Sequence, residues 1–352
     1  MERMEALQRK LNGRAALVVS PVNRVYLTGF SSSAGALLVF ADSWKLLVDG
    51  RYLEAAEQAL PRGCAVLEEN LWRQAEALCA AHGVRELAIE EADTSVAAYA
   101  AWQAATTLTL RQDAGLSEAL SALRALKSPR ELDSLRRAQR ITDEAFAETL
   151  NHIRAGVSEL DVRIVMGVEM AKRGCEKRAF DMILTSGERT SLPHGHPGLF
   201  TLQKGDFVMM DVGAKIDGYF ADMTRTVAVG GVTEEQERVY DTVLRAQQTA
   251  LGLLREGAVC REVDAAARAV IAAAGYDGCF NHGLGHSLGL EIHEQPRLNQ
   301  TCDAVLRAGM MTTVEPGVYL PHRFGVRIED MGAITRDGFE NMTHSEKKLL
   351  IL

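Results

Sequence analysis

Up to about residue 124 the chain alternates short, unbroken apolar runs with stretches in which apolar residues return every three or four positions. The runs at 15–18, 36–40, 46–48 and 87–89 predict strands, and the stretches at 52–60 and 71–81 predict helices between them. Strands alternating with helices predict an α/β unit. Residues 94–110 carry no charge but are interrupted by Gln103, Thr106 and Thr107. They fall short of a membrane span and predict a buried helix and turn.

A different order follows. Pro129 stands after Ser128, a natural helix cap, with Glu131 three residues on. That start signal sets the expected boundary between a domain at 1–124 and a second at 125–352. Amphipathic patterns predict helices at about 129–152, 158–173, 233–255 and 261–274. Strand-like runs separated by glycine lie at 207–212, 218–229, 311–315 and 325–334. Helices with turn-linked strands predict an α+β domain with a largely antiparallel sheet.

Composition narrows the function classes. The 352 residues, 47% apolar and 24% charged, suit about two folded domains. With 39 Lys and Arg against 47 Asp and Glu, the net charge of -8 offers no global positive field to a phosphate backbone. Nucleic acid and membrane are therefore not expected as partners. The first ten residues are densely charged and lack the apolar core of a secretory signal, so a cytoplasmic location is expected. Cys64, Cys79, Cys175, Cys260, Cys279 and Cys302 lie far apart without a C-x-x-C pair and read as reduced core residues.

The informative feature is a set of acids where a sheet should be apolar. Asp211 ends a run, 207–210, whose apolar residues do not alternate, so both faces of that strand should be buried. A carboxylate there must be protonated, hydrogen-bonded, ion-paired or bound to metal. Asp222 repeats the situation eleven residues on, with Asp217-Gly218 offering a hairpin turn between the two. Glu315 and Glu329 lie in similar runs, and Gly283-Leu284-Gly285-His286 lies between the pairs with an imidazole. Four carboxylates and one imidazole suit two divalent cations, with Mn, Co or Zn fitting better than thiolate-selective metals. Taken singly, an acid such as Asp211 or Glu329 reads more often as a strand-end residue or a partner for Arg225 or Arg327 than as a metal ligand.

The set as a whole resembles the metallopeptidases of the pita-bread fold, the group of prolidase, aminopeptidase P and methionine aminopeptidase. DVGAKIDGYFADMTRT, HGLGHSLGLEIHEQPR, MTTVEPGVY and GVRIED place Asp211, Asp222, His286, Glu315 and Glu329 on the family's five ligand positions. The resemblance implies a curved, largely antiparallel sheet and hydrolysis by a hydroxide bridging two cations. It implies that Asp222 and Glu329 bridge the metals, that Asp211 completes one side, and that His286 and Glu315 complete the other, with Glu315 also shuttling the proton. It further assigns His194 and His293 to the substrate and its oxyanion. His282, Tyr319 and Arg327 fall around the substrate and metals, while Phe180 and Ile292 are candidate pocket walls. His196 reads as a loop residue. Ala221 departs from the serine common before the second aspartate.

The segments LTGFSSSAGALLVF and VDGRYLEAAEQ resemble the amino-terminal domain of the Xaa-Pro peptidases. That resemblance implies an Xaa-Pro dipeptide or short peptide as substrate and a homodimer as the assembly. Arg297 matches an arginine that meets a dipeptide's free carboxylate, which favours an Xaa-Pro dipeptidase, with aminopeptidase P as the close alternative. Two remoter alternatives are a catalytically inactive pita-bread binding protein and a serine hydrolase. The latter rests on Gly285-His286-Ser287-Leu288-Gly289, which satisfies G-x-S-x-G but lacks the preceding strand and following helix of a nucleophile elbow.

Overall fold

A computed structural model describes residues 2–112 and 115–352. Its chain falls into two compact units, Met1–Arg124 and Ala125–Leu352.

The first unit holds one mixed sheet of β1 (Ala15–Val18), β2 (Ala36–Val39), β3 (Trp44–Val48), β4 (Ala65–Leu67), β5 (Glu86–Ile89) and β6 (Thr109–Arg111), in the order β4-β3-β2-β1-β5-β6. β1 and β2 are buried along their whole length, the environment that their unbroken apolar runs require. The edge strands β4 and β6 have three residues each; β6, Thr109-Leu110-Arg111, carries no apolar run, and β4 carries only the short run Ala65-Val66-Leu67. The helix Val96–Ala105 forms inside the stretch expected to be buried, but none of its residues is buried. Only Tyr99 and Trp102, half-covered, press on the core. Alanine is the strongest helix former and loses little by facing water, so an alanine-rich stretch need not be internal.

The second unit repeats one arrangement twice. Helices Pro129–Leu150 and Glu159–Lys172 precede β7 (Lys177–Arg178), β8 (Ile183–Ser186), β9 (Phe207–Val212), β10 (Ala214–Ile216), β11 (Tyr219–Phe220) and β12 (Met223–Ala228). Helices Glu234–Leu251 and Cys260–Ala273 then precede β13 (Gly285–Ser287), β14 (Glu294–Leu298), β15 (Met311–Val314), β16 (Gly317–Leu320), β17 (Phe324–Arg327), β18 (Asp330–Ile334) and β19 (Phe339–Asn341). All strand pairs here are antiparallel, in the groups β12-β9-β8, β11-β10-β7, β13-β14, β15-β18-β19 and β16-β17.

Local chemistry explains the punctuation. Ser128 and Glu131 close a reciprocal cap on the first helix, and Thr233 and Gln236 do the same for the third. Asp217 and Gly218, at φ +50° and +85°, form the two-residue turn that joins β10 to β11. Both positions need positive φ, which Asp-Gly tolerates. The two halves meet where the Glu329 N–H donates to the Thr224 carbonyl at 3.0 Å.

Candidate metal centre

Backbone pairing delivers each candidate ligand to one place. Asp211 on β9 lies opposite Thr224 of β12 on one side and Ile183 of β8 on the other. Asp222 stands immediately before β12. The run expected as one strand at 325–334 breaks at Ile328-Glu329, where the chain passes from β17 to β18, and the break turns Glu329 toward Thr224. Glu315 follows β15 and donates its N–H to the Leu284 carbonyl at 2.8 Å. His286 on β13 donates its N–H to Thr313 Oγ1 at 3.1 Å. Gly285 permits that contact, because a Cβ there would overlap the Thr313 carbonyl.

Asp222, His286 and Glu329 are buried, and each offers a ligand atom within 4.8 Å of the other two. The His286 Nδ1 donates to the Ser287 carbonyl at 3.1 Å, which leaves the Nε2 lone pair free. That nitrogen faces Asp222 Oδ2 at 3.5 Å and Glu315 Oε1 at 3.4 Å. Arg327 binds Asp211 Oδ2 at 2.6 Å and Thr224 Oγ1 at 3.0 Å, and Thr224 donates in turn to Glu329 Oε2 at 2.7 Å. Tyr319 stands behind. Its hydroxyl accepts from Arg327 at 2.9 Å and donates to His282 Nε2 at 2.8 Å.

Protonation follows from burial and from crowding of like charges. Burial, then the neighbouring acids, push Asp222 and Glu329 well above the usual carboxylate range. Burial pushes the Glu315 carboxyl up to about 8 and both His282 and His286 down to about 3. Burial also holds the Tyr319 phenol up at about 12, so it stays a donor. Four carboxylates thus face one guanidinium and neutral imidazoles, an arrangement that a cation would relieve.

The donor set fits divalent cations. Asp211 Oδ1 is buried and has no hydrogen-bond partner, although its sister oxygen is held by Arg327. An orphaned carboxylate oxygen beside two further buried carboxylates and a neutral imidazole offers hard oxygen and borderline nitrogen ligands.

These groups line a cavity of about 450 Å³. Phe180, His194, His282, Ile292, His293, Arg297 and Arg327 reach it with the five candidate ligands. His293 stands edge-on to His286 at 4.4 Å between ring centres. Tyr319 is not on the wall; it stands behind two lining residues, Arg327 and His282, and hydrogen-bonds to both. His196 is the loop residue expected and also reaches the cavity.

Comparison with known proteins agrees with this chemistry. Residues 133–336 match the model of metallopeptidase family M24, and residues 1–126 match the creatinase/prolidase N-terminal domain. The chain belongs to metallopeptidase family M24. An Xaa-Pro dipeptidase of Pyrococcus horikoshii is 34% identical to it over 96% of this chain and 94% of its own. Among solved structures, an Xaa-Pro dipeptidase from Bacillus anthracis superposes with a TM-score of 0.95 at 35% identity, covering 100% of this chain and 99% of the other. An X-Pro aminopeptidase from Thermotoga maritima does so at 0.91 and 30% identity, with the same coverage. The architecture, N-terminal domain included, is that of the pita-bread prolidases.

Within this M24 chain the G-x-S-x-G match is accidental. Ser287 ends β13, no helix follows it, and its Oγ is buried without a partner. Sequence reading passed over Thr224, which ties Arg327 to Glu329, and Asp181, Ile183 and Pro193, which line the cavity. Asp181 was detectable in principle. It lies two residues before Ile183, in phase with the face that meets Asp211.

Proposed function

We propose that the chain is a prolidase, hydrolysing Xaa-Pro dipeptides with two divalent cations held by Asp211, Asp222, His286, Glu315 and Glu329, manganese ahead of cobalt or zinc. The observation that carries this reading is the orphaned Asp211 Oδ1 beside the Asp222, His286 and Glu329 cluster, on the floor of a cavity lined by further histidines and an arginine. Bound there, the cations supply Lewis acidity toward the scissile carbonyl and ionise water near neutral pH.

The remaining work falls to side chains. Arg327 and Thr224 hold Asp211 and Glu329 in register, and Tyr319 braces Arg327 and His282. Glu315 takes a proton from the attacking water and passes it to the leaving nitrogen. His194 and His293 donate to the carbonyl oxygen as its charge develops. The leaving nitrogen belongs to proline, which carries no amide N–H, so recognition rests on ring shape against Phe180 and Ile292. His282 completes the wall. Arg297 pairs with the C-terminal carboxylate, a strong and directional contact that rewards a chain ending after proline.

The protein is further read as a cytoplasmic homodimer. Six unbridged cysteines support a reducing compartment. Exposed Leu192, Leu199 and Phe200 supply apolar surface for self-association.

The test compares kcat/KM for Ala-Pro and Ala-Pro-Ala in wild type and Arg297→Ala. A prolidase prefers the dipeptide and loses that preference in the variant. Equal or better cleavage of the tripeptide by wild type would assign the chain to aminopeptidase P, with the metal chemistry unchanged.

A further inference from the structure

We infer that Asp181 selects substrates whose first residue carries a long cationic side chain, making Lys-Pro and Arg-Pro favoured dipeptides. The inference rests on the Xaa-Pro reading above and adds the chemistry of the residue before proline.

The strand phase places Asp181. Met182 and Leu184 are buried in the apolar core, so Asp181 and Ile183 face the other way. Both line the cavity, and Ile183 sits directly across from Asp211. Asp181 is exposed, and no described lysine, arginine or histidine lies within ion-pair distance of it. Its neighbour Phe180 supplies apolar wall on the same cavity. A side chain running past Ile183 therefore meets apolar surface along its stem and an unpaired carboxylate at its end. Lysine and arginine match that sequence of environments.

Reach separates the side chain from the substrate's own α-ammonium. The scissile carbonyl must lie at the ligand cluster, and the α-ammonium is bonded to the adjoining carbon. Asp181 stands two residues beyond Ile183, which is up to about 7 Å further along an extended chain. A lysine side chain spans such a gap and an α-ammonium does not. Arg297, also on the cavity wall, leaves the site with one fixed cation for the substrate carboxylate and one fixed anion for the side chain.

The experiment measures kcat/KM for Lys-Pro and norleucine-Pro, which match in length and differ in the terminal charge, in wild type and Asp181→Asn. A partly solvated charge pair predicts that wild type prefers Lys-Pro by about three- to tenfold. In Asp181→Asn the ratio should fall to near one, chiefly through loss on Lys-Pro. Because the ratio is taken within one protein, a folding defect scales both rates and leaves it untouched. An unchanged ratio in the variant, or an equal loss on both dipeptides that points to the α-ammonium, would overturn the inference while the Xaa-Pro reading stands. Failure of wild type to cleave either dipeptide would overturn both.

Discussion

Glu329 and Asp330 are consecutive and both buried, yet one belongs to the cleft and the other to the scaffold behind it. Asp330 receives Arg225 at 2.8 Å, Lys347 at 2.6 Å and Asn341 at 2.9 Å. Burial works against its charge, but Arg225 and Lys347 outweigh it and hold the carboxyl below its usual range. Glu329 receives the Thr224 hydroxyl, and its carboxyl is pushed well above that range. The contrast recurs across the second unit. Asp264 is met by Arg268 and the Leu284 N–H, and Glu159 by Ser186, Arg189 and the Gly198 N–H, whereas Asp211 keeps one oxygen orphaned. Burial alone therefore does not mark a functional acid. The supply of donors does, and the cleft is where the fold withholds them.

Exchanging the two kinds of acid should give opposite phenotypes. Asp222→Asn should lose metal and cut turnover by at least the roughly 1000-fold that loss of one preorganised donor can cost. Its metal-free form should melt no lower than wild type, since a repelling charge has gone. Asp330→Ala strands the buried Arg225 and should destabilise the fold by about 3–5 kcal/mol whether or not metal is present. Thermal unfolding with and without chelator, beside Ala-Pro turnover, reads both. If the two variants behaved alike, the division of acids would collapse.

The cavity histidines should fall between these extremes. His194→Ala and His293→Ala should each lower kcat by about 100- to 1000-fold with metal content unchanged, as expected for donors to a developing oxyanion. Near wild-type kinetics in both would take them out of the site.

Much of this comparison was legible from residue order. Asp211 and Asp222 declared themselves by sitting in runs too apolar to alternate, and the Asp217-Gly218 turn between them follows from conformational preference alone. The helix starts at Ser128 and Thr233 were equally local. What stayed hidden depended on contacts between distant segments. The break at Ile328-Glu329 is invisible in an unbroken strand-like run, because it arises from Glu329 pairing with Thr224 rather than continuing β17. The doubled helix–helix–sheet arrangement leaves no repeated motif, since the two halves share geometry and not residues. The edge strand β6 was missed because Thr109-Leu110-Arg111 holds a single apolar residue, while the short apolar run of β4 was passed over. The run alone does not separate Asp330 from Glu329, whose donors lie more than 10 positions away; only the family resemblance singled out Glu329.

A smaller effect concerns pH. In chelated protein Glu315 ionises at about 8 in the folded site, against an ordinary 4.5, so the folded state holds a proton that the unfolded chain has released. Stability must then fall as pH rises across that interval. His282 and His286, pushed down from 6.5 to about 3, act in the opposite sense at lower pH, where the unfolded chain binds the extra protons. Between pH 6.5 and 8 the carboxyl dominates, so the Tm of chelated protein should decline across that window. Saturating Mn should abolish the decline by keeping the carboxylates ionised. A Tm that is flat or rising between pH 6.5 and 8 in chelated protein would contradict the assignment.

If the cleft acids lack donors because cations take their place, metal stoichiometry will show it. Chelated protein titrated with Mn, with bound metal quantified by elemental analysis and Ala-Pro turnover followed in parallel, should bind two ions per chain. Activity should be absent at the start and return as the sites fill. Full turnover in protein shown to be metal-free would contradict the account.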